Sequence, residues 1–170
     1  MGVLIGDLMA EADEQYGQGD EGNKPRKHFR QRKRIPPKLM GELSELDFLR
    51  KAMGMGMIVS KPWGDGYRYD FVVDTGGRLW RAQVRSTASR FGKCGYAVHA
   101  SYYAKGKSIG LTAKDIDVVI AYIVPKNLWY VIPVKAFVPH KTLWFFPEGR
   151  HQGAKFERYR NAWWVIMGEP

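Results

Sequence analysis

Cysteine is almost absent from this sequence: of 170 residues, only Cys94 is a thiol. A single thiol excludes an intrachain disulfide framework and a zinc cluster built from thiolates, and it fits a reducing compartment. The four histidines show no metal-ligand spacing, so zinc is not expected. Long hydrophobic runs are also lacking. No apolar stretch is long enough to span a membrane, so no membrane partner is expected and a cytoplasmic location is. The opening Met1-Gly2-Val3-Leu4-Ile5 has no basic leader and meets Asp7 at once, which does not read as a secretory signal. Acidic residues are in short supply: 17 against 27 Lys and Arg, for a net charge of +10. A basic chain without membrane features points to a polyanion, usually nucleic acid. A merely soluble basic protein is the alternative.

The charge that is present is unevenly placed. Residues 1–23 contain Asp7, Glu11, Asp13, Glu14, Asp20 and Glu21 and no Lys or Arg. Residues 24–38 contain Lys24, Arg26, Lys27, Arg30, Arg32, Lys33, Arg34 and Lys38 and no acid. Few apolar residues interrupt either block. Residues 1–35 therefore read as a flexible arm, with Arg26, Lys27, Arg30, Arg32, Lys33 and Arg34 as candidate DNA contacts. A solvated tail without a role is the competing reading. Residues 36–170 read as one α/β domain.

Within that domain, Pro36-Pro37 precedes a helix expected over Lys38 to Met53, its apolar side marked by Leu39, Leu43, Leu46, Leu49 and Met53. Strands are expected at Met57 to Ser60, Tyr67 to Asp74, Leu79 to Ser86, Tyr96 to Tyr102, Val118 to Val124, Trp129 to Pro133 and Leu143 to Phe146. A helical turn is expected at Val134 to Phe137, and a closing helix at Phe156 to Trp164.

The Gly76-Gly77 pair between two of these strands is a hairpin signal. If it forms the turn, Asp74 faces Leu79 and Asp70 faces Gln83. Arg85, two residues on, shares the face of Gln83. Such a cluster suits phosphodiester hydrolysis. Mg²⁺ (or Mn²⁺) activates water and polarises phosphate, and it takes hard oxygen ligands such as a carboxylate and an amide carbonyl. Glu45, on the preceding helix, can add a second carboxylate. Spacing alone is also compatible with a turn-capping Asp70, an exposed Gln83 and a solvated Glu45. Tyr102, Tyr103, Lys105 and Lys107 interleave aromatics with cations on an expected loop, where Lys105 and Lys107 are candidate DNA contacts.

Four segments together carry a resemblance. Gly41-Glu42-Leu43-Ser44-Glu45, Val59-Ser60-Lys61-Pro62-Trp63-Gly64-Asp65, Arg68-Tyr69-Asp70-Phe71-Val72-Val73 and Trp80-Arg81-Ala82-Gln83-Val84-Arg85-Ser86-Thr87 occur in that order. They resemble the bacterial group I intron-associated PD-(D/E)XK endonucleases, whose members show G-x-x-x-E, K-P-x-G-D, R-Y-D-F and R-V-Q-V-K-S-T. The similarity extends over most of 41–164. It implies a restriction-endonuclease-like PD-(D/E)XK core with a mixed central sheet flanked by helices. It also implies a metal-dependent DNA endonuclease, with homing as a candidate role. Glu45 and Asp70 would be metal-binding carboxylates, with Glu42 the runner-up for the helical acid. Gln83 would occupy the D/E position, and Arg85 would stand where the family has lysine.

Arg85 is the departure. Arginine keeps the charge and grips phosphate in a bidentate manner, but it stays protonated above a pH of about 12 and cannot serve as a base. Hence the alternative expectation: a catalytically impaired DNA-binding protein on the same fold. The expected partner is double-stranded DNA in either case. Cutting both strands calls for two active sites, so a homodimer or homotetramer is expected.

Overall fold

The computed structural model describes residues 35–64, 66–92, 95–149 and 154–168. The basic and acidic blocks of the arm, with Arg26, Lys27, Arg30, Arg32, Lys33 and Arg34, lie outside the described residues, as do Lys93 and Cys94.

The first element among the described residues is helix α1, Pro37–Gly54. Pro37 sits in its first turn, where the missing N–H is no loss, and Gly56 follows the helix at φ 82°. Ten strands follow. They are β1 Ile58–Ser60, β2 Phe71–Asp74, β3 Leu79–Thr87, β4 Arg90–Phe91, β5 Gly95–His99, β6 Ser101–Ala104, β7 Lys107–Gly110, β8 Val118–Ile123, β9 Leu128–Pro133 and β10 Thr142–Phe145. The central sheet has the order β1-β2-β3-β8-β9. It is mixed: β3 and β8 run parallel, and the other neighbours are antiparallel. All six residues of β8 are buried, as expected of a central strand covered on both faces.

Two apolar cores lie on opposite faces of this sheet. On one, Phe48 and Ala52 of α1 pack on Phe71, Val73, Ala82, Val84, Val118 and Ile120. Phe48 is fully buried, with ring centroids 5.3 Å from Phe71 and 6.4 Å from both Trp129 and Trp163. On the other face, Val119, Ala121, Ile123, Tyr130 and Ile132 meet Tyr96, Val98, Leu143 and Phe145, which come from a second sheet ordered β10-β5-β4. The fold is thus a restriction-endonuclease-like α/β domain. Among the described residues its helical complement is α1, the single turns α2 (Val134–Phe137) and α3 (Trp164–Met167), and two short 3₁₀ segments.

Four local expectations differ from the structure. The apolar side of α1 is not its docking side: Leu39, Leu46 and Met53 are exposed, and Ser44, Asp47, Phe48 and Ala52 are buried. One large ring flanked by small residues lets the helix approach the sheet, and Ser44 satisfies its hydroxyl on Met40 O at 2.7 Å. The expected strand 67–74 begins only at Phe71. The expected strand 96–102 is two strands on different sheets. They are divided at Ala100, whose N–H goes to Lys141 O and whose carbonyl receives Leu111 N–H. The expected helix 156–164 is instead a 3₁₀ turn at Glu157–Tyr159, a bridge from Arg160 to Tyr130 and a left-handed Asn161. There the Asn161 N–H bonds Trp129 O on the edge strand β9 at 2.7 Å rather than continuing a helix.

Candidate active site

The Gly76-Gly77 turn sets the register of β2 and β3. Asp74 pairs with Leu79 and Phe71 with Ala82, so the next step back brings Asp70 opposite Gln83. Asp74 Oδ1 accepts the Gly76 N–H at 2.8 Å, and Gly76 takes φ 84°, a left-handed conformation that favours glycine. Asp70 lies one residue before β2, where its N–H still reaches Ala82 O at 2.9 Å. Its Oδ2 accepts two hydrogen bonds, from Gln83 Nε2 at 2.5 Å and from the Val84 N–H at 2.8 Å.

Both bonds fall on one oxygen. Among the described residues, Asp70 Oδ1 and Gln83 Oε1 accept none, and neither is among the sealed, unsatisfied polar atoms of the interior. Gln83 as a residue is nonetheless 3% exposed. Asp70 Oδ1 and Gln83 Oε1 thus keep vacant lone pairs in a largely buried pair.

The electrostatics agree. Burial is the largest influence on Asp70 and pushes its carboxyl up to about 6. The Val84 N–H opposes that, the charge of Glu45 adds to it, and Arg85 and Lys61 pull it back down. Asp70 is thus a carboxylate short of positive charge. Glu45, from α1, is half-buried, and its Oε2 accepts from Lys61 Nζ at 2.7 Å. That hydrogen bond is the main reason the Lys61 ammonium is held above its ordinary value. Lys61 also feels Asp70 and Glu42, and it lies 5.7 Å from the centre of the Phe71 ring. Glu42 itself is exposed.

Arg85 shares the Gln83 side of β3. Its only hydrogen bond among the described residues is a long one, Nη1 to Val84 O at 3.4 Å. It lines a groove of about 450 Å³ with Ser86, Ser89, Arg90, His99 and Ser101. The structure thus pairs Asp70 with Gln83 and sets Glu45, Arg85 and Lys61 within electrostatic range of Asp70, while no three His, Cys, Asp or Glu side chains gather as a metal-holding group among the described residues. Lys105 and Lys107 are not in this cluster. They sit on a β-hairpin, not a loop, formed by β6 and β7. The signal was in the sequence: Lys105-Gly106 is a two-residue turn with both φ positive, 51° and 74°, between two short runs of strand-forming residues. The groove beside Arg85 left no sequence signal, because its walls come from β3, β4, β5 and β6.

A second basic cluster has a structural explanation. Arg81 bonds Asp117 Oδ2 at 3.1 Å through Nε, and Arg78 reaches Oδ1 at 3.4 Å. Burial alone would raise the Asp117 carboxyl, but the Arg81 side-chain and backbone hydrogen bonds outweigh it and hold it below the ordinary range. These residues tie β3 to the start of β8.

Comparison with known proteins fits this geometry. The PD-(D/E)XK endonuclease family matches residues 35–165, and the chain belongs to that family. Among solved structures it is similar to a bacterial homing endonuclease, with 30% identity and a TM-score of 0.65, covering 78% of this chain and 91% of that one. No curated protein matches it. Among the described residues, no helix is long and apolar enough to cross a membrane.

Proposed function

We propose that this chain is a divalent-metal-dependent DNA endonuclease of homing type, with double-stranded DNA as substrate and Mg²⁺ or Mn²⁺ as cofactor. The observation that carries the reading is the pair of open oxygens, Asp70 Oδ1 and Gln83 Oε1, beside a carboxyl pushed up to about 6 by burial and by Glu45. Glu45, Asp70 and Gln83 are the proposed ligands. Their oxygen donors fit a hard cation, although two carboxylates and an amide attract it less than three carboxylates would. When bound, the metal supplies an activated water and a polarised phosphate.

The protein's own residues do the rest. The Val84 N–H and Gln83 Nε2 fix the Asp70 carboxylate. Arg85, without a carboxylate partner among the described residues, holds a phosphate oxygen and offsets developing charge. It cannot take a proton from water. That supports a second reading, a protein that binds DNA with little or no turnover. The homing role rests on the solved relative's description as a homing endonuclease. A homodimer or homotetramer in the cytoplasm, with the 1–35 arm and Lys105 and Lys107 on phosphates, completes the proposal.

The test is supercoiled plasmid incubated with purified protein and Mg²⁺ or Mn²⁺, beside Asp70→Ala and Arg85→Lys. Nicking by the native chain, faster in Arg85→Lys and lost in Asp70→Ala, is the expected result. Cleavage only by Arg85→Lys supports the second reading. Cleavage that persists in Asp70→Ala overturns the site.

A further inference from the structure

The β6–β7 hairpin belongs to neither core sheet. Its four rungs run from Ser101↔Gly110 to Ala104↔Lys107, and residues 101–110 contain two tyrosines, two lysines and no acid. Tyr102 is partly buried against the core, whereas Tyr103, on the opposite face, is 79% exposed. On a strand that pairs only with its hairpin partner, so exposed a ring buries little against the fold. The ribbon is nevertheless braced. Lys141 Nζ donates to Ser108 O at 2.7 Å, and its stem crosses Gly110 so closely that a Cβ there would meet it at 3.3 Å. Lys141, Lys105 and Lys107 line a groove of about 450 Å³ on the ribbon.

The ribbon is also fixed to the active site. The Arg68 guanidinium lies 3.8 Å from the centre of the Tyr102 ring, and Arg68 is two residues from Asp70. On the other side, Ser101, the first residue of β6, lines the groove that contains Arg85. The hairpin thus borders the Arg85 groove at Ser101 and bears, at its other end, Lys105 and Lys107, which share a groove with Lys141. The dimensions suit one duplex feature. Two strands about 5 Å apart, with side chains, fill a major groove about 12 Å wide but not a minor groove about 6 Å wide. Four residues span about 13 Å, enough to cross a groove about 8.5 Å deep.

We infer that the β6–β7 ribbon is the groove-reading element: it enters the DNA major groove next to the scissile phosphate, with Lys105 and Lys107 on phosphates, Tyr103 against base edges, and the Arg68–Tyr102 stack fixing its position relative to Asp70. The place of the scissile phosphate rests on the proposed function. The lysine–phosphate contacts belong to that proposal as well; the entry of the ribbon into the major groove and the reading of base edges by Tyr103 go beyond it and are measured without cleavage.

The experiment uses the full chain in EDTA with a random-sequence duplex pool. Binding is followed against salt, and bound sequences are read after selection. Replacing Lys105 and Lys107 together with serine should lower the slope of log affinity against log salt by about 2, roughly one per phosphate contact. Tyr103→Ala should leave the slope unchanged and erase base preference over one contiguous block. Tyr102→Leu should do the same through loss of the stack. All of these side chains except Tyr102 are exposed, so unchanged melting of the lysine and Tyr103 variants serves as the folding control. An unaltered slope and unaltered preference in those variants overturn the inference, as does tighter binding of the native chain to duplex RNA, whose major groove is too narrow to admit a ribbon. Native cleavage with indifferent ribbon variants would sink this inference and leave the nuclease reading intact. A changed slope without any cleavage would do the reverse.

Discussion

Replacing Asp70 with asparagine should stabilise the metal-free protein while removing its activity. The carboxyl midpoint lies at about 6 in the folded chain against an ordinary 3.8. At about 1.4 kcal/mol per pH unit, that difference is about 3 kcal/mol. The sign follows from proton uptake. Below a pH of about 4 both folded and unfolded chains hold the proton, and Asp70 costs nothing. Between about 4 and 6 the unfolded chain loses its proton first, so stability falls as pH rises; above about 6 the full cost is present. Asparagine keeps an acceptor for Gln83 Nε2 and the Val84 N–H, now at 2.5 and 2.8 Å from Oδ2, and has no charge to desolvate. In EDTA at pH 7, Asp70→Asn should therefore gain up to about 3 kcal/mol, on the order of 10 °C in Tm, and near pH 3.5 it should match the native chain. Chemical denaturation across this pH range is the assay. A variant that is less stable at pH 7, or equally more stable at pH 3.5 and 7, would refute the claim that the native site pays electrostatically for a buried, cation-seeking carboxylate.

Gln83→Glu sets a carboxylate where an amide now donates to Asp70, so it should destabilise the metal-free protein by about 1–3 kcal/mol while tightening Mn²⁺ binding; urea melts and calorimetric titration read the two effects. Lys61→Met removes a cation that lowers the Asp70 carboxyl and frees the Glu45 charge that raises it, so the Asp70 midpoint, followed by carboxyl NMR, should move above about 6, and a fall would contradict the arrangement. Phe48→Ala should cost about 3–5 kcal/mol in denaturant melts, because a fully buried ring among three aromatics leaves a cavity; a loss under 1 kcal/mol would mean that α1 is held by something else.

The Asp70–Gln83 pairing was legible because its geometry is local. A two-glycine turn fixes register, and from register alone Asp70 opposes Gln83 with Arg85 on the same side. Glu45 was legible as a carboxylate on the preceding helix, and the resemblance gave it the role of a metal ligand. The apolar residues of α1 misreport its orientation, because Phe48 with Ser44 and Ala52 docks the helix while Leu39, Leu46 and Met53 face outward. Parts that depend on distant segments left little trace. The break at Ala100 exists because Lys141, far along the chain, takes its N–H. The bridge at Arg160 exists because β9 offers an edge. Lys61 was visible only as part of the Val59–Asp65 motif, and its 2.7 Å bond to Glu45 required the fold.

We propose Asp70, Gln83 and Glu45 as one metal site. Anomalous scattering from crystals of the protein soaked in Mn²⁺ addresses it directly. The expected result is an ion at about 2.1 Å from Asp70 Oδ1 and Gln83 Oε1, with Glu45 turned from Lys61 toward it. An ordered ion bound elsewhere, with Asp70 still holding only Gln83 and the Val84 N–H, would contradict it.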